Sequence, residues 1–599
     1  MNTSTTEDFF KNKVLGHPAG LFVLFFTEMW ERFSYYGMRV LLVLFLTAAI
    51  TGFNPGWAWD RKAALALYGT YTSLVYITPI LGGWLADNKI GYRMAVILGA
   101  LIMTLGHLFM AFETETFLYL GILCLIIGNG FFKPNMTSII SHMYKDHPEK
   151  KDGAFTLYYM GVNAGAFLGI LLCGYLGEKY SWSWGFGLAG IFMFLGMLQF
   201  YFSQPLFGHI GDKPKKDFEE GEIDPTELLE EGETNLNYFT LVDKIFIFVS
   251  AVLGVLYVIN DPLYEITKMK GLTPINLFPF TINIPFIGEL TGQNFAILFG
   301  LFAFLFLIIS RISRYSTVIR DRMIAVALFA FFTVFFWASF EQAGGSMNIF
   351  ARDYTNRVLI GNAAIIFKII NTLVTVVPLL ILSYVLISLF KQSYARIPLS
   401  NIILGSSFII IWGIVIWMLY REFIDEKTEI GATWFNILNS LFIIGFAPLF
   451  SRWWESKYNP SASVKYGLGL VLLGFGFGFL AFGARSIPQG AMTAAVSVMW
   501  LVFAYLFHTL GELCLSPVGL SYVSKLVPGR MIALMFGMWY IAIAIGNKLA
   551  GKMGGMIDDI TAKYSMSQFF LIFTLIPIGM GVLAMLLNPI FKKLMHGVR

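Results

Sequence analysis

Sixteen apolar runs, each bounded by charges or by Gly and Pro, follow one another along the chain and leave it few ways to fold. They lie near 19–49, 63–86, 93–112, 116–141, 153–176, 183–203, 239–260, 292–310, 320–347, 361–390, 398–420, 432–453, 465–483, 490–516, 530–551 and 567–590. A helix needs roughly 20 apolar residues to span a bilayer, and a backbone away from water must bond to itself, so each run is predicted to be a transmembrane helix. Charged residues make up 13% of the chain, against about 25% in a soluble domain. The fold class is therefore an all-α polytopic membrane protein. The residues at 205–237 are hydrophilic and of mixed charge, as expected of a surface link. The runs at 239–260 and 292–310 carry no charge in their cores and are predicted to be peripheral helices.

The first run contains an energetic anomaly, the stretch EMWERFSYYGMR at 28–39. At helical spacing, Glu28, Glu31, Arg32, Tyr35, Tyr36 and Arg39 share one face. A charge at mid-bilayer costs about 3 kcal/mol on insertion scales, so this face must meet protein or a watery cavity. Lys133, beside Pro134 within the fourth run, likewise needs an anionic partner. A structural Glu–Arg network and a functional site both fit these residues.

Other classes find less support. Cys124, Cys173 and Cys514 all lie in apolar runs, which suggests neither a disulfide framework nor a metal site. None of the seven histidines belongs to an HExxH pattern or a nucleophile–base pair, so an embedded enzyme has no candidate centre. No basic, aromatic-interleaved segment suggests nucleic acid. The polar N-terminal residues lead into a long, charged run without a small-residue cleavage site, which argues against a removable signal peptide. Lys11, Lys13, Lys89, Arg93, Lys145, Lys150, Lys151, Lys213, Lys215, Lys216, Arg311, Arg314, Arg320, Arg322, Lys592, Lys593 and Arg599 fall on one side if every run crosses. By the positive-inside rule both termini are predicted to be cytoplasmic.

Six segments, in order, carry a resemblance: EMWERFSYY from Glu28, GGWLADNKIGYRMAVILGALIMTLG from Gly82, GNGFFKPN from Gly128, FTLYYMGVNAGAF from Phe155, FWASFEQ from Phe336 and GELCLSPVGLS from Gly511. The chain resembles the proton-dependent oligopeptide transporters (POT, PTR2) of the major facilitator superfamily. The resemblance implies two six-helix bundles with a site near the bilayer midplane, opening alternately to either side. On that pattern 1–18 is a cytoplasmic tail, 19–203 the N-terminal bundle, and 204–317 a cytoplasmic link with an inserted helix pair. The C-terminal bundle is 318–599, with an additional hydrophobic hairpin at about 356–430. That hairpin departs from the common pattern and bears on the surface around spans seven and eight.

The resemblance also implies roles. Arg32 and Lys133, with Asn163 nearby, would hold a peptide carboxylate, and Glu512 with Asn439 the amino terminus. Tyr35, Tyr36, Tyr76, Trp337 and Trp539 match aromatic positions of the family's pocket. Glu341 would pair with Arg39 as an extracellular-side gate, and Glu28 and Glu31 with Lys133 would form a second proton-coupling network. Asp87 and Arg93 match the superfamily's cytoplasmic gating motif. His508 reads as a packed histidine rather than a proton relay. Gly69 stands where mammalian relatives carry a histidine implicated in proton binding, which places coupling on carboxylates. The expected activity is proton-coupled import of di- and tripeptides, with protons as the coupling ion and no cofactor. The alternative is same-fold transport of another small anion or zwitterion, such as nitrate or a modified amino acid. The oligomeric state stays open.

Overall fold

The computed structural model describes residues 9–213, 237–284, 288–425, 427–527 and 529–598. Most of the 205–237 link, with Lys215 and Lys216, and also Arg599, lie outside the described residues.

Among the described residues the chain is mostly helical. Its N-terminal half comprises α1 (Ala19–Thr47), α2 (Arg61–Leu85), α3 (Tyr92–Met110), α4 (Glu115–Met143), α5 (Lys151–Lys179) and α6 (Trp182–Phe202). An inserted pair follows, α7 (Leu241–Met269) and α8 (Gly292–Ile312). The C-terminal half begins with α9 (Thr317–Phe340), which breaks at a 3-10 turn (Glu341–Gly344) before the short α10 (Ser346–Asp353). The second inserted pair is α11 (Asn362–Ser393) and α12 (Pro398–Ile424). Then come α13 (Ile437–Glu455), α14 (Ala462–Gly483), α15 (Met499–Leu526), α16 (Gly529–Gly554), the short α17 (Ile557–Lys563), α18 (Met566–Leu586) and a terminal α19 (Asn588–Leu594).

Among the described residues, fourteen helices are long and apolar enough to cross a membrane. With α1, whose charges keep it out of that count, and α16, they make up the expected six plus six plus two pairs. α1 is the axis of the N-terminal half, buried from Ala19 to Leu46 apart from Tyr36. Gly161, Gly165 and Gly169 on α5, four residues apart, lie on one face, where a Cβ would strike the α1 carbonyls of Phe25, Met29 and Phe33. Small residues at this spacing let two membrane helices approach backbone to backbone.

Three expectations need correction. α7 does not stop near 260 but continues to Met269, and its added turns carry Asp261 and Glu265, which face other helices. The helix runs on because Pro262 is accommodated within it; most of α7 stays exposed or half-buried, as a peripheral helix does, and these last turns bring charge against helices of the two halves. The run at 490–516 becomes a helix only from Met499 and then continues to Leu526; the residues before it form the short strand Val496–Ser497, paired with Thr355–Asn356. The second hairpin does not bear mainly on spans seven and eight. Phe408 of α12 packs on Phe26 and Trp30 of α1, Ser400 donates to the Gln199 carbonyl of α6, and Trp417 meets Tyr175 and Tyr180. The hairpin is inserted in the C-terminal half yet seated on the N-terminal one, which hydropathy cannot reveal.

Candidate functional site

The polar face of α1 is buried, and its charges find partners at once. Arg32 Nε lies 3.0 Å from Glu28 Oε1, one helical turn back, and also contacts Glu31. The Tyr158 hydroxyl donates to Glu28 Oε2 at 2.5 Å, and Asn129 Nδ2 donates to Glu31 Oε1 at 3.0 Å. The Arg32 guanidinium stands 5.3 Å from the ring centre of Tyr35, and that of Arg39 stands 5.0 Å from the ring centre of Tyr36. Glu28 and Glu31 are therefore held by Arg32 and by α4 and α5 hydroxyl and amide groups, whereas Lys133 points its Nζ at the ring of Tyr76, 4.2 Å away. Arg32 on their own helix thus makes the direct ion pairs with both, the one to Glu28 at the i, i+4 spacing at which helix side chains meet, while Lys133 acts on the two carboxylates through the field of its charge.

Two turns further along α1, the pairing crosses between the halves. Arg39 Nη1 lies 3.1 and 3.3 Å from the two carboxylate oxygens of Glu341, and both side chains are buried. The Tyr68 hydroxyl of α2 donates to Glu341 Oε1 at 2.7 Å. The break after Phe340 turns Glu341 toward α1, and Asn348, just beyond it, donates to the Val40 carbonyl at 3.1 Å. The halves are closed at this end. Arg61 of α2 joins Asp353 and Asp558 at 2.7 Å each and the Tyr354 hydroxyl at 3.1 Å, and Arg352 reaches the Leu44 carbonyl and the Thr47 hydroxyl. Toward the other end, Leu81, Trp84, Tyr159 and Met160 are exposed.

Between these ends, a set of half-buried side chains faces across the two halves: Tyr36, Tyr76, Lys133, Trp337, Asn439, Glu512 and Tyr540. Tyr76 of α2 has Trp337 of α9 and Tyr540 of α16 each 6.3 Å from its ring centre. Asn439 Nδ2 donates to Glu512 Oε2 at 2.9 Å and to the Thr509 hydroxyl at 3.1 Å, so the expected pairing of these two residues is present. Asn163 is buried, its amide donating to the Tyr159 carbonyl one turn back. Trp539 is not on this surface: only 3% exposed, it packs edge-on against Tyr466 inside the C-terminal half, while its neighbour Tyr540 reaches Tyr76.

His508 lies against Phe477 with no hydrogen-bond partner for either ring nitrogen, as a packed histidine would. Asp87 is exposed in the π-helical turn Ala86–Ile90, and Arg93 pairs with Asp212. At Gly69 a Cβ would come within 2.8 Å of the Gly551 Cα, so the α2–α16 contact has no room for a side chain there. Tyr158, Asn129, Tyr68, Thr509 and Tyr540 were not singled out from the sequence. Tyr158 lies inside a quoted motif, but an uncharged residue in an aromatic-rich chain carries no signal of its own. Among the described residues, no group of three or more His, Cys, Asp or Glu side chains is placed to hold a metal ion.

The family model of the POT family (PTR2) matches residues 93–220 and 408–572. A peptide transporter of Yersinia enterocolitica, YePEPT, is 30% identical over 592 residues, covering 98% of this chain and 96% of its own. The chain belongs to the POT family. A di-/tripeptide transporter of Lactococcus lactis is 26% identical, with both chains covered in full. The crystal structure of a mutant POT peptide transporter bound to alafosfalin superposes with a TM-score of 0.67 at 27% identity, over 98% of each chain. This POT-family chain is thus a multi-pass membrane protein whose relatives are transporters, not enzymes.

Proposed function

We propose that the chain is a proton-coupled symporter that imports di- and tripeptides by alternating access between the halves at 19–203 and 318–599. The observation that carries this reading is the division of labour along one helix face. Arg32 is matched by carboxylates of its own half, whereas Arg39 is matched by Glu341 of the other half. The first arrangement persists when the halves move; the second must break. The names of the Yersinia and Lactococcus relatives support peptides as substrates.

On this reading the end sealed by Arg39–Glu341 and Arg61 faces the outside, the Lys- and Arg-rich loops lie in the cytoplasm, and the membrane is the inner (plasma) membrane. The substrate carboxylate meets Arg32 and Lys133, with Asn163 behind them. The amine meets Glu512, held in place by Asn439, and the aromatics Tyr35, Tyr36, Tyr76, Trp337 and Tyr540 accept varied side chains. Trp539 would join this pocket only after α16 repacks. A planar guanidinium suits a carboxylate, while Lys acts as a point charge.

Four carboxylates, Glu28, Glu31, Glu341 and Glu512, face three cations, Arg32, Arg39 and Lys133; a zwitterionic peptide adds one charge of each sign, so a bound proton is what restores neutrality. A proton on Glu341 leaves Arg39 without its counter-charge and frees the halves to part. Substrate release toward the cytoplasm and loss of the proton then let the pair re-form. The test is uptake of labelled dialanine into proteoliposomes under an imposed pH gradient and membrane potential. Accumulation above a no-gradient control is expected; its absence across several di- and tripeptides would overturn the reading.

A further inference from the structure

One buried ion pair lies outside this site and outside every motif. Lys548 of α16, 5% exposed, donates through Nζ to Asp261 Oδ2 of α7 at 2.7 Å and to the Thr70 hydroxyl of α2 at 2.9 Å. The same Thr70 hydroxyl donates to the Val258 carbonyl of α7 at 2.9 Å. A closed circuit thus joins α7, α2 and α16, which come from the inserted pair, the N-terminal half and the C-terminal half. It lies where α2 and α16 touch most closely: Gly69 meets Gly551, and Asn547 donates to the Thr72 carbonyl at 2.9 Å.

The other polar contacts of this part of α7 are mostly with the N-terminal half. Glu265 lies 3.5 Å from Lys62, the Asp60 amide points at Met269 Sδ, and Lys270, just past the helix end, pairs with Glu115. From the C-terminal half come Lys548 and, at 3.4 Å from the Tyr257 hydroxyl, Lys552. A helix so attached moves with α2. Lys548 cannot then stay with both Thr70 and Asp261 once α16 rocks away, and each ion left in apolar surroundings must find water or another partner.

We propose that Asp261 and Lys548 are a further gating pair, by which the inserted helix α7, riding on the N-terminal half, holds α16 while this end is closed and releases it on opening. The proposal rests on the alternating-access reading above. It gives the inserted pair a part in the conformational cycle, and it adds a second tie between the halves beside Arg39–Glu341, on a different helix pair.

Pulsed electron paramagnetic resonance on the full chain in nanodiscs tests it, with Cys124, Cys173 and Cys514 replaced by Ser. Spin-labelled cysteines are introduced in pairs at Phe53 in the α1–α2 loop, Ser486 after α14 and Thr273 after α7, all exposed. In the parent, as peptide and pH are varied, the 53–486 and 273–486 distances should divide into short and long populations together, while 53–273 stays single. Lys548→Met and Asp261→Asn should each raise the long-to-short ratio roughly fivefold or more, the lower end of usual coupling between sites. Asp261→Lys combined with Lys548→Asp should bring the ratio back, which separates lost pairing from lost folding. An unchanged ratio in both single variants, or a 53–273 distance that widens while 273–486 stays fixed, overturns the tie alone. A parent whose 53–486 distance never divides overturns the alternating-access reading and the tie with it.

Discussion

Replacing Glu341 by Gln removes one charge from the contact between the halves and changes little of its shape. Both carboxylate oxygens engage Arg39, at 3.1 and 3.3 Å, and one also accepts from Tyr68 at 2.7 Å. Leaving a buried cation without its counter-ion costs about 3–5 kcal/mol. Gln keeps an oxygen that can still accept from Arg39, and a hydrogen bond to a charged group is worth about 1.5–3 kcal/mol. The net loss is about 2 kcal/mol, roughly thirtyfold in the ratio of closed to open states. The variant also has no carboxylate at this position to take up and give back a proton. At 100 mV one charge moved per cycle supplies about 2.3 kcal/mol, enough for roughly fiftyfold accumulation. Proteoliposomes holding Glu341→Gln are expected to bring labelled dialanine only to equality with the bath, while counterflow, which need not release the proton, continues. Accumulation at more than about half the parental level would refute the reasoning on charge. Equal loss of accumulation and counterflow would reduce Glu341 to a structural residue.

Tyr68→Phe removes one hydrogen bond to the Glu341 carboxylate, worth about 1.5–3 kcal/mol, and is expected to slow accumulation by roughly tenfold or more, with counterflow again less affected. Glu512→Gln should erase the preference for a free amino terminus, so that dialanine and its N-acetyl derivative compete equally in uptake; a preference kept within about threefold of the parental one would count against an amine-binding role. Arg61→Ala breaks contacts to Asp353, Asp558 and Tyr354 and should raise labelling, by an impermeant thiol reagent, of a cysteine introduced at the neighbouring buried Thr355. Gly69→Ala pushes a methyl group to within 2.8 Å of the Gly551 Cα and should cost about 1–3 kcal/mol, read as a lower unfolding temperature in detergent.

Much of the architecture was legible without coordinates. Run length and charge distribution alone indicate sixteen crossings, and the α1 face from Glu28 to Arg39 is visible from helical spacing. Its partners were only partly legible. The Arg39–Glu341 and Asn439–Glu512 pairings are implied by the family resemblance, not by the residues alone, and are present. Lys133 over Tyr76, Tyr158 on Glu28 and Trp539 turned into the C-terminal core do not follow, because each depends on where a second helix brings its side chains.

The two inserted pairs mark the same boundary. Hydropathy sees each as two apolar helices and is right, since a bilayer asks only for length and apolar surface. Which neighbours they press against is set by side-chain fit and by a few polar contacts: Phe408 against Trp30, and Asp261 with Lys548. Sequence by itself determined that the chain crosses a membrane many times and carries charges within it, because the cost of a charge in hydrocarbon does not depend on the fold. Only the tertiary structure decided which charges neutralise which, because that depends on distances of about 3 Å between helices far apart in the chain.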